Sequence, residues 1–257
     1  MTSGSEAVSR VLKDRVAIVT GAAKGIGAGI ALAMAEAGAA VVVNYARDRE
    51  GAERVASAIV AQRRCAIAVQ ADVSVGADVE RLFAQAREAF GDLDILVNNA
   101  SAFSFAPLAE TTDTQLQEMI GANLIGTINC CRRALKHFGP GGGAIVNIGS
   151  MSSEIYSPGA LAYTATKAAI TGVTGVLAVE LAPRRIRVNQ INPGAVDTEG
   201  ARAVGAMSEA SRAAYAARTP LGRVGTPAEI ASVAVFLASD AARWMTGDCL
   251  AVSGGLR

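Results

Sequence analysis

The sequence predicts an α/β protein, one doubly wound parallel sheet with helices on both faces. Three observations lead there. Short runs such as VAIVT, VVV and AIVNI are apolar at consecutive positions, as strands must be when helices cover both their faces. These runs alternate with longer alanine-rich segments, the pattern of right-handed strand–helix–strand crossovers. A turn with three glycines, Thr20-Gly21-Ala22-Ala23-Lys24-Gly25-Ile26-Gly27, follows the first run.

Arg15–Thr20 reads as the first strand and Gly25–Ala37 as a helix closed by Gly38. Ala40–Tyr45 is the second strand, followed by a helix over Glu50–Gln62. Ala66–Gln70 is the third strand, with a helix over Asp78–Phe90, and Asp94–Asn98 is the fourth. A long helix is expected over Asp113–Phe138, then a fifth strand over Gly143–Gly149 and a long helix over Gly159–Leu181. Ile186–Ile191 is the sixth strand, Pro227–Ala238 a helix and Cys249–Val252 a short last strand. The least patterned stretch, Gly194–Pro220, suits a loop or small helical lid over a substrate.

The 257 residues suit one large α/β domain over residues 14–257, after a polar N-terminal extension over 1–13. No Pro- or Ser-rich linker divides it. Lys and Arg number 24 and Asp and Glu 23, so charge gives no case for nucleic acid or an anionic membrane as partner. The first residues lack the apolar stretch of a signal peptide, and no run approaches ~18 apolar residues. A cytoplasmic home follows by default. The cysteines, Cys65, Cys130, Cys131 and Cys249, show no C-x-x-C spacing, which argues against a disulfide framework or zinc site. The single histidine, His137, rules out a histidine-rich metal centre and reads as an ordinary helix-end residue.

Gly21, Gly25 and Gly27, with Lys24 and Ile26 between them, bring backbone close to where a pyrophosphate would lie. The helix that follows presents free N–H groups and a partial positive charge to that anion. The spacing is G-x-x-x-G-x-G rather than G-x-G-x-x-G. The second strand ends Asn44-Tyr45-Ala46-Arg47, without the tip carboxylate that binds the 2′-hydroxyl of NAD. Lys24 and Arg47 are placed to flank a 2′-phosphate, which favours NADP(H) over NAD(H). Asp48 is the residue that most opposes this choice. Asp72 and Val73, after the third strand, are placed to meet adenine. Asn98, Asn99 and Ala100, after the fourth, are placed to line the adenosine ribose. Bracing of loop backbone is the alternative role for Asp72 and the two asparagines, and it is compatible with ligand contact.

Tyr163 and Lys167 stand four apart on a predicted helix and so share one face. Carbonyl reduction needs an acid at the forming alkoxide, and alcohol oxidation needs the matching base. Free tyrosine has a pKa near ~10. A drop of about three units takes roughly 4 kcal/mol, which a lysine and a positive nicotinamide ring are expected to supply. Lys167 is also placed to hold the nicotinamide ribose. Ser150, thirteen residues before Tyr163, is placed to hold the substrate oxygen. Asn123 interrupts the long helix, either to hold a water that links Lys167 to solvent or to satisfy a local kink.

These residues together resemble the short-chain dehydrogenase/reductase family from Arg15 onward. The motifs are TGAAKGIG at Thr20–Gly27, NNA at Asn98–Ala100, Asn123, Ser150, Tyr163-Thr-Ala-Thr-Lys167 and Pro193-Gly194 with Thr198. The resemblance implies a Rossmann-like sheet of seven strands ordered 3-2-1-4-5-6-7. It implies Ser150 as substrate-orienting residue, Tyr163 as acid/base, Lys167 as ribose anchor and Asn123 as relay. It places Pro193, Gly194, Val196 and Thr198 against the nicotinamide half, and it implies a homotetramer.

Within the family, VVVNYA, RVGTPAEIASVAVFLASD and the ending SGGLR resemble the 3-oxoacyl-[acyl-carrier-protein] reductase and ketoreductase branch. That implies a ketone substrate, carried on a thioester or acyl carrier protein or free. Phe103, Phe105, Met151 and Tyr156 are expected to wall its pocket, with Arg132 and Arg133 as candidate carrier contacts. The alternatives are a sugar, polyol or secondary-alcohol dehydrogenase and a non-catalytic dinucleotide sensor.

Overall fold

A computed structural model describes residues 10–256. Seven strands form one parallel sheet in the order β3-β2-β1-β4-β5-β6-β7, as the resemblance implies. They are β1 (Val16–Val19), β2 (Ala40–Tyr45), β3 (Ala66–Gln70), β4 (Ile95–Asn98), β5 (Gly143–Ile148), β6 (Ile186–Pro193) and β7 (Cys249–Val252). Residues paired across the sheet, such as Val19 with Val43 and Val97, bring the carboxyl ends of β1, β2 and β4 level. Ligands bind at that rim in open parallel sheets.

The strands are apolar at consecutive positions because each feeds two cores. Side chains of β1 alternate between them: Ala17 and Val19 face one, Ile18 the other. Helices α1 (Gly25–Glu36), α2 (Arg49–Ala61) and α9 (Pro227–Ala238) cover the first face. Helices α3 (Gly76–Phe90), α5 (Gly126–Ala134) and α6 (Leu161–Leu181) cover the second. Each fully buried Ile, Leu or Val contributes about 1.5–3 kcal/mol against exposure.

The helix expected over Asp113–Phe138 is broken. An α segment, α4 (Asp113–Met119), gives way to a π turn over Ile120–Ile125, and α5 then ends at Ala134. A π turn carries one residue more than an α turn. Here it centres on Asn123, which is 2% exposed and committed to partners outside the helix. Gly126 then lets the helix pass close to Val73, where a Cβ would lie 2.5 Å from Cγ2.

α6 presents Ile170, Thr174, Ala178 and Leu181 to the sheet. By length and composition Leu161–Arg184 would suffice to cross a membrane, but that face is buried against β6 and the second core. The lid region contains two helices, α7 (Glu199–Ala203) and α8 (Glu209–Arg218). Of the N-terminal extension, residues 1–9 lie outside the described residues. Leu12 is 1% exposed and donates its N–H to Ala37, so the packed body takes in the chain from about there.

Candidate active site

The glycine turn is shaped by residues distant in sequence. Gly21 and Gly25 have φ of +60° and +58°, which glycine adopts without strain. A Cβ on Gly21 would fall 2.7 Å from the Ala100 backbone. Asn99 donates to the carbonyls of Thr20 and Gly21 at 2.9 and 3.0 Å, and Thr20 Oγ1 accepts from the N–H groups of Asn99 and Ala100. Asn44 accepts the Gly21 N–H at 3.2 Å and donates to Ala71 O at 3.0 Å. Asn44 and Asn99 therefore build the cradle as braces. The N-cap residue Lys24 makes no side-chain cap, and no acidic residue stands in the first turn of α1. This is a fit for a dinucleotide pyrophosphate: a tight turn, close backbone and a helix N-terminus.

The other predicted cofactor residues divide. Lys24 and Arg47 are exposed at the rim. Tyr45 is 8% exposed and its ring joins the core. Asp48 caps α2, accepting the Gly51 N–H at 2.9 Å. Asp72 accepts from Ser74 N and Oγ in a tight turn, and Val73 is packed under Gly126. Across the cleft, Gly194 donates to Val252 O at 3.0 Å, and Val196 is buried and bridged to Gly225. Pro193 ends β6, and Thr198 caps α7 by accepting the Ala201 N–H at 3.1 Å.

At the end of β5 and the start of α6 the reactive groups converge. Lys167 is 3% exposed and donates from Nζ to the Ile148 carbonyl at 2.8 Å. Nζ lies 5.8 Å from the centre of the Tyr163 ring. Ser150 Oγ accepts from Ser152 N at 3.1 Å and Ser152 Oγ at 2.9 Å. Burial pushes Lys167 down to about 8, on the side where the ammonium form prevails at pH 7. Burial pushes the Tyr163 phenol up, and the Ser150 hydroxyl pulls it back in part. Loss of water is the larger effect, and Lys167 Nζ lies over the ring. The acidified phenol expected from the sequence also calls on a positive nicotinamide ring, and so belongs to the cofactor-bound site.

The relay expected of Asn123 is not carried by its side-chain amide, all of whose hydrogen-bonding positions are taken. Oδ1 accepts from Ala102 N at 2.7 Å and Ser101 Oγ at 3.0 Å, while Nδ2 donates to Ala102 O and Thr166 Oγ1. Thr166 donates onward to Tyr163 O at 2.8 Å. Asn123 thus ties the loop after β4 to the turn of α6 between Tyr163 and Lys167. That loop carries Phe103 and Phe105, whose rings approach Tyr163 edge-on with centroids at 6.4 and 6.0 Å. Met151 is buried beside Ser150, and Tyr156 is exposed.

A polar chain missed in the sequence runs beneath: Asn98 to Asn147, Asn147 to Thr174, Thr174 to Gln190, Gln190 to Asn192, and Asn192 to Glu154. Its signal was the polar residues inside apolar strands. It anchors the Ser150 loop to the core. Arg132 and Arg133 sit in the last turn of α5, toward the amino edge of the sheet, and Arg133 pairs with Glu80. They do not line the entrance. His137 lies beside Phe83, with ring centroids 5.5 Å apart, away from the site.

A glycine cradle facing a tyrosine–lysine–serine cluster on one rim defines a dinucleotide-dependent oxidoreductase. Residues 21–257 match a family model described as Enoyl-(Acyl carrier protein) reductase. An uncharacterized oxidoreductase of Methylorubrum extorquens is 48% identical, covering 96% of this chain and 99% of the relative. A 3beta-hydroxysteroid dehydrogenase 1 of Eggerthella lenta is 41% identical, covering 95% and 94%. A 3-oxoacyl-[acyl-carrier-protein] reductase of Staphylococcus aureus is 37% identical, covering 93% and 97%. The solved angucycline C-6 ketoreductase LanV with bound NADP superposes with a TM-score of 0.89 at 35% identity, covering 95% and 96%. The chain belongs to the short-chain dehydrogenase/reductase family.

Proposed function

We propose that this chain is an NADP(H)-dependent reductase that converts a ketone to a secondary alcohol. The carrying observation is Tyr163 set beside Ser150 and the buried ammonium of Lys167 at the rim that holds the glycine cradle. The bound dinucleotide supplies the hydride. Ser150 holds the carbonyl oxygen, Tyr163 protonates it as the alkoxide forms, and Lys167 anchors the nicotinamide ribose. A protonated phenol suits the acid role that ketone reduction needs. Pro193, Gly194, Val196 and Thr198 would flank the nicotinamide half. Asp72, Val73, Asn99 and Ala100 would flank the adenosine half.

NADP(H) is favoured because Asp48 spends its carboxylate on the α2 cap while Lys24 and Arg47 stay exposed. Phe103 and Phe105 beside Tyr163 favour a substrate with a bulky apolar or aromatic body. The position of Arg132 and Arg133 removes the support they were expected to lend to a carrier protein. The second reading, a secondary-alcohol dehydrogenase, draws on the likeness to a hydroxysteroid enzyme. Exposed Ile120, Ile125 and Ile128, with Val176 and Val179 on α6, support assembly of copies into the homotetramer.

The test is a panel of β-keto thioesters, cyclic and polycyclic ketones, sugars and steroid alcohols, each with NADPH and NADH. Ketone reduction with NADPH, lost in Tyr163→Phe, is expected. Activity confined to alcohol or sugar oxidation would establish the second reading instead. Cofactor binding without turnover of any compound would favour a sensor.

A further inference from the structure

Glu199, the first residue of α7, accepts the backbone N–H of Gly25 at 3.0 Å. Gly25 opens α1, so this carboxylate caps the helix end that the glycine turn presents to anions. The contact is part of a wider seating of the lid. A Cβ on Gly25 would lie 3.3 Å from Thr198 Cβ, and one on Gly200 would lie 3.5 Å from the Phe103 ring. α7 therefore rests on both the cradle and the aromatic wall. Its base is clamped: Asp197 accepts from Arg202 at 2.7 and 3.0 Å and also from Arg212, and its N–H donates to Gly225 O.

A helix N-terminus favours one anion at a given N–H, and two anions at one donor repel. A pyrophosphate seated in this cradle would compete with Glu199 for the Gly25 N–H. The cradle itself, with its positive-φ glycines and its braces from Asn44 and Asn99, fits such a group. We infer that Glu199 is an internal stand-in for the dinucleotide pyrophosphate. It holds α7 against α1 in the free enzyme and must be displaced when the cofactor enters. Glu199 thus sets cofactor affinity and exchange, with no part in the chemical step. Because this inference rests on the dinucleotide reading above, its failure must be separable from failure of that reading.

Equilibrium titration of the full chain with NADPH, followed by cofactor fluorescence, makes that separation. The Glu199 side chain is exposed, so Glu199→Gln and Glu199→Ala should fold, as circular dichroism would verify. Both should bind NADPH about twofold to fivefold more tightly than the parent, the scale of an exposed carboxylate at a helix end. Thermal melting adds a second readout. The cofactor-free variants should melt below the parent, and the NADPH-saturated variants should melt at or above it, because only the free state uses the contact. Unchanged or weaker NADPH binding in both variants would overturn the inference, as would an equal melting loss with and without cofactor. A parent chain that binds neither NADPH nor NADH would instead overturn the dinucleotide reading on which it stands.

Discussion

Lys167 reaches the carbonyl of Ile148 with its ammonium at 2.8 Å, not a carboxylate. Its charge is carried inside the protein on one backbone dipole, beneath the ring of Tyr163.

Burial of that charge bears on stability. The folded pKa of Lys167, about 8, lies below the ordinary 10.5. Between those values the unfolded chain binds more protons, so stability rises as pH climbs through that window. Below about pH 8 the fold carries the full cost of a buried charge. Lys167→Met should therefore stabilise the free protein at pH 7 by about 1–3 kcal/mol, with the gain fading toward pH 10.5. Urea unfolding at pH 7 and pH 10 reads this directly. A variant less stable than the parent at pH 7 would show that the Ile148 bond outweighs the burial cost.

Direction and pH are linked through Tyr163. With its phenol pushed above the ordinary value by burial, ketone reduction should hold steady from pH 6 to 8, since the acid form is present throughout. Alcohol oxidation needs the phenolate and should climb steadily toward pH 10. Profiles of kcat/KM in both directions test this. An oxidation rate already level at pH 7 would mean that the phenol is acidified in the working complex.

Cofactor choice should depend on two exposed cations. Lys24→Ala and Arg47→Ala should each weaken NADPH binding about tenfold, the scale of one charge-assisted phosphate contact, and leave NADH nearly unchanged. Calorimetric titration of both cofactors decides it. Equal losses for NADPH and NADH would remove the 2′-phosphate from the account.

Of the aromatic wall, Phe105 should act on substrate alone. Phe103→Ala and Phe105→Ala should raise KM for a bulky ketone about threefold to tenfold, as loss of one aromatic contact implies. Phe105→Ala should leave the NADPH dissociation constant intact. If small ketones lose as much as bulky ones, the rings position Tyr163 rather than the substrate.

Much of the site was legible because its parts are local. The glycine turn at 20–27 and the Tyr163–Lys167 pair each lie within one element junction or one helical turn, where spacing maps directly onto geometry. Asn123 drew notice as a polar interruption, but the kind of interruption did not. A π turn depends on Ala102 and Thr166 across the fold, and helical periodicity carries no trace of either.

By itself the sequence determined the parallel sheet, the helices on its two faces and the chemical groups available at its rim. Strand apolarity and helix periodicity are properties of consecutive residues. Tertiary structure alone decided how those groups are buried and partnered. Burial raised the phenol and lowered the lysine, Asn44 and Asn99 became braces, and Arg132 and Arg133 fell away from the entrance. Glu199 came to rest on Gly25, 174 positions earlier in the chain. Desolvation and hydrogen bonding depend on what surrounds a group in space, and those neighbours are set only when the whole chain has packed.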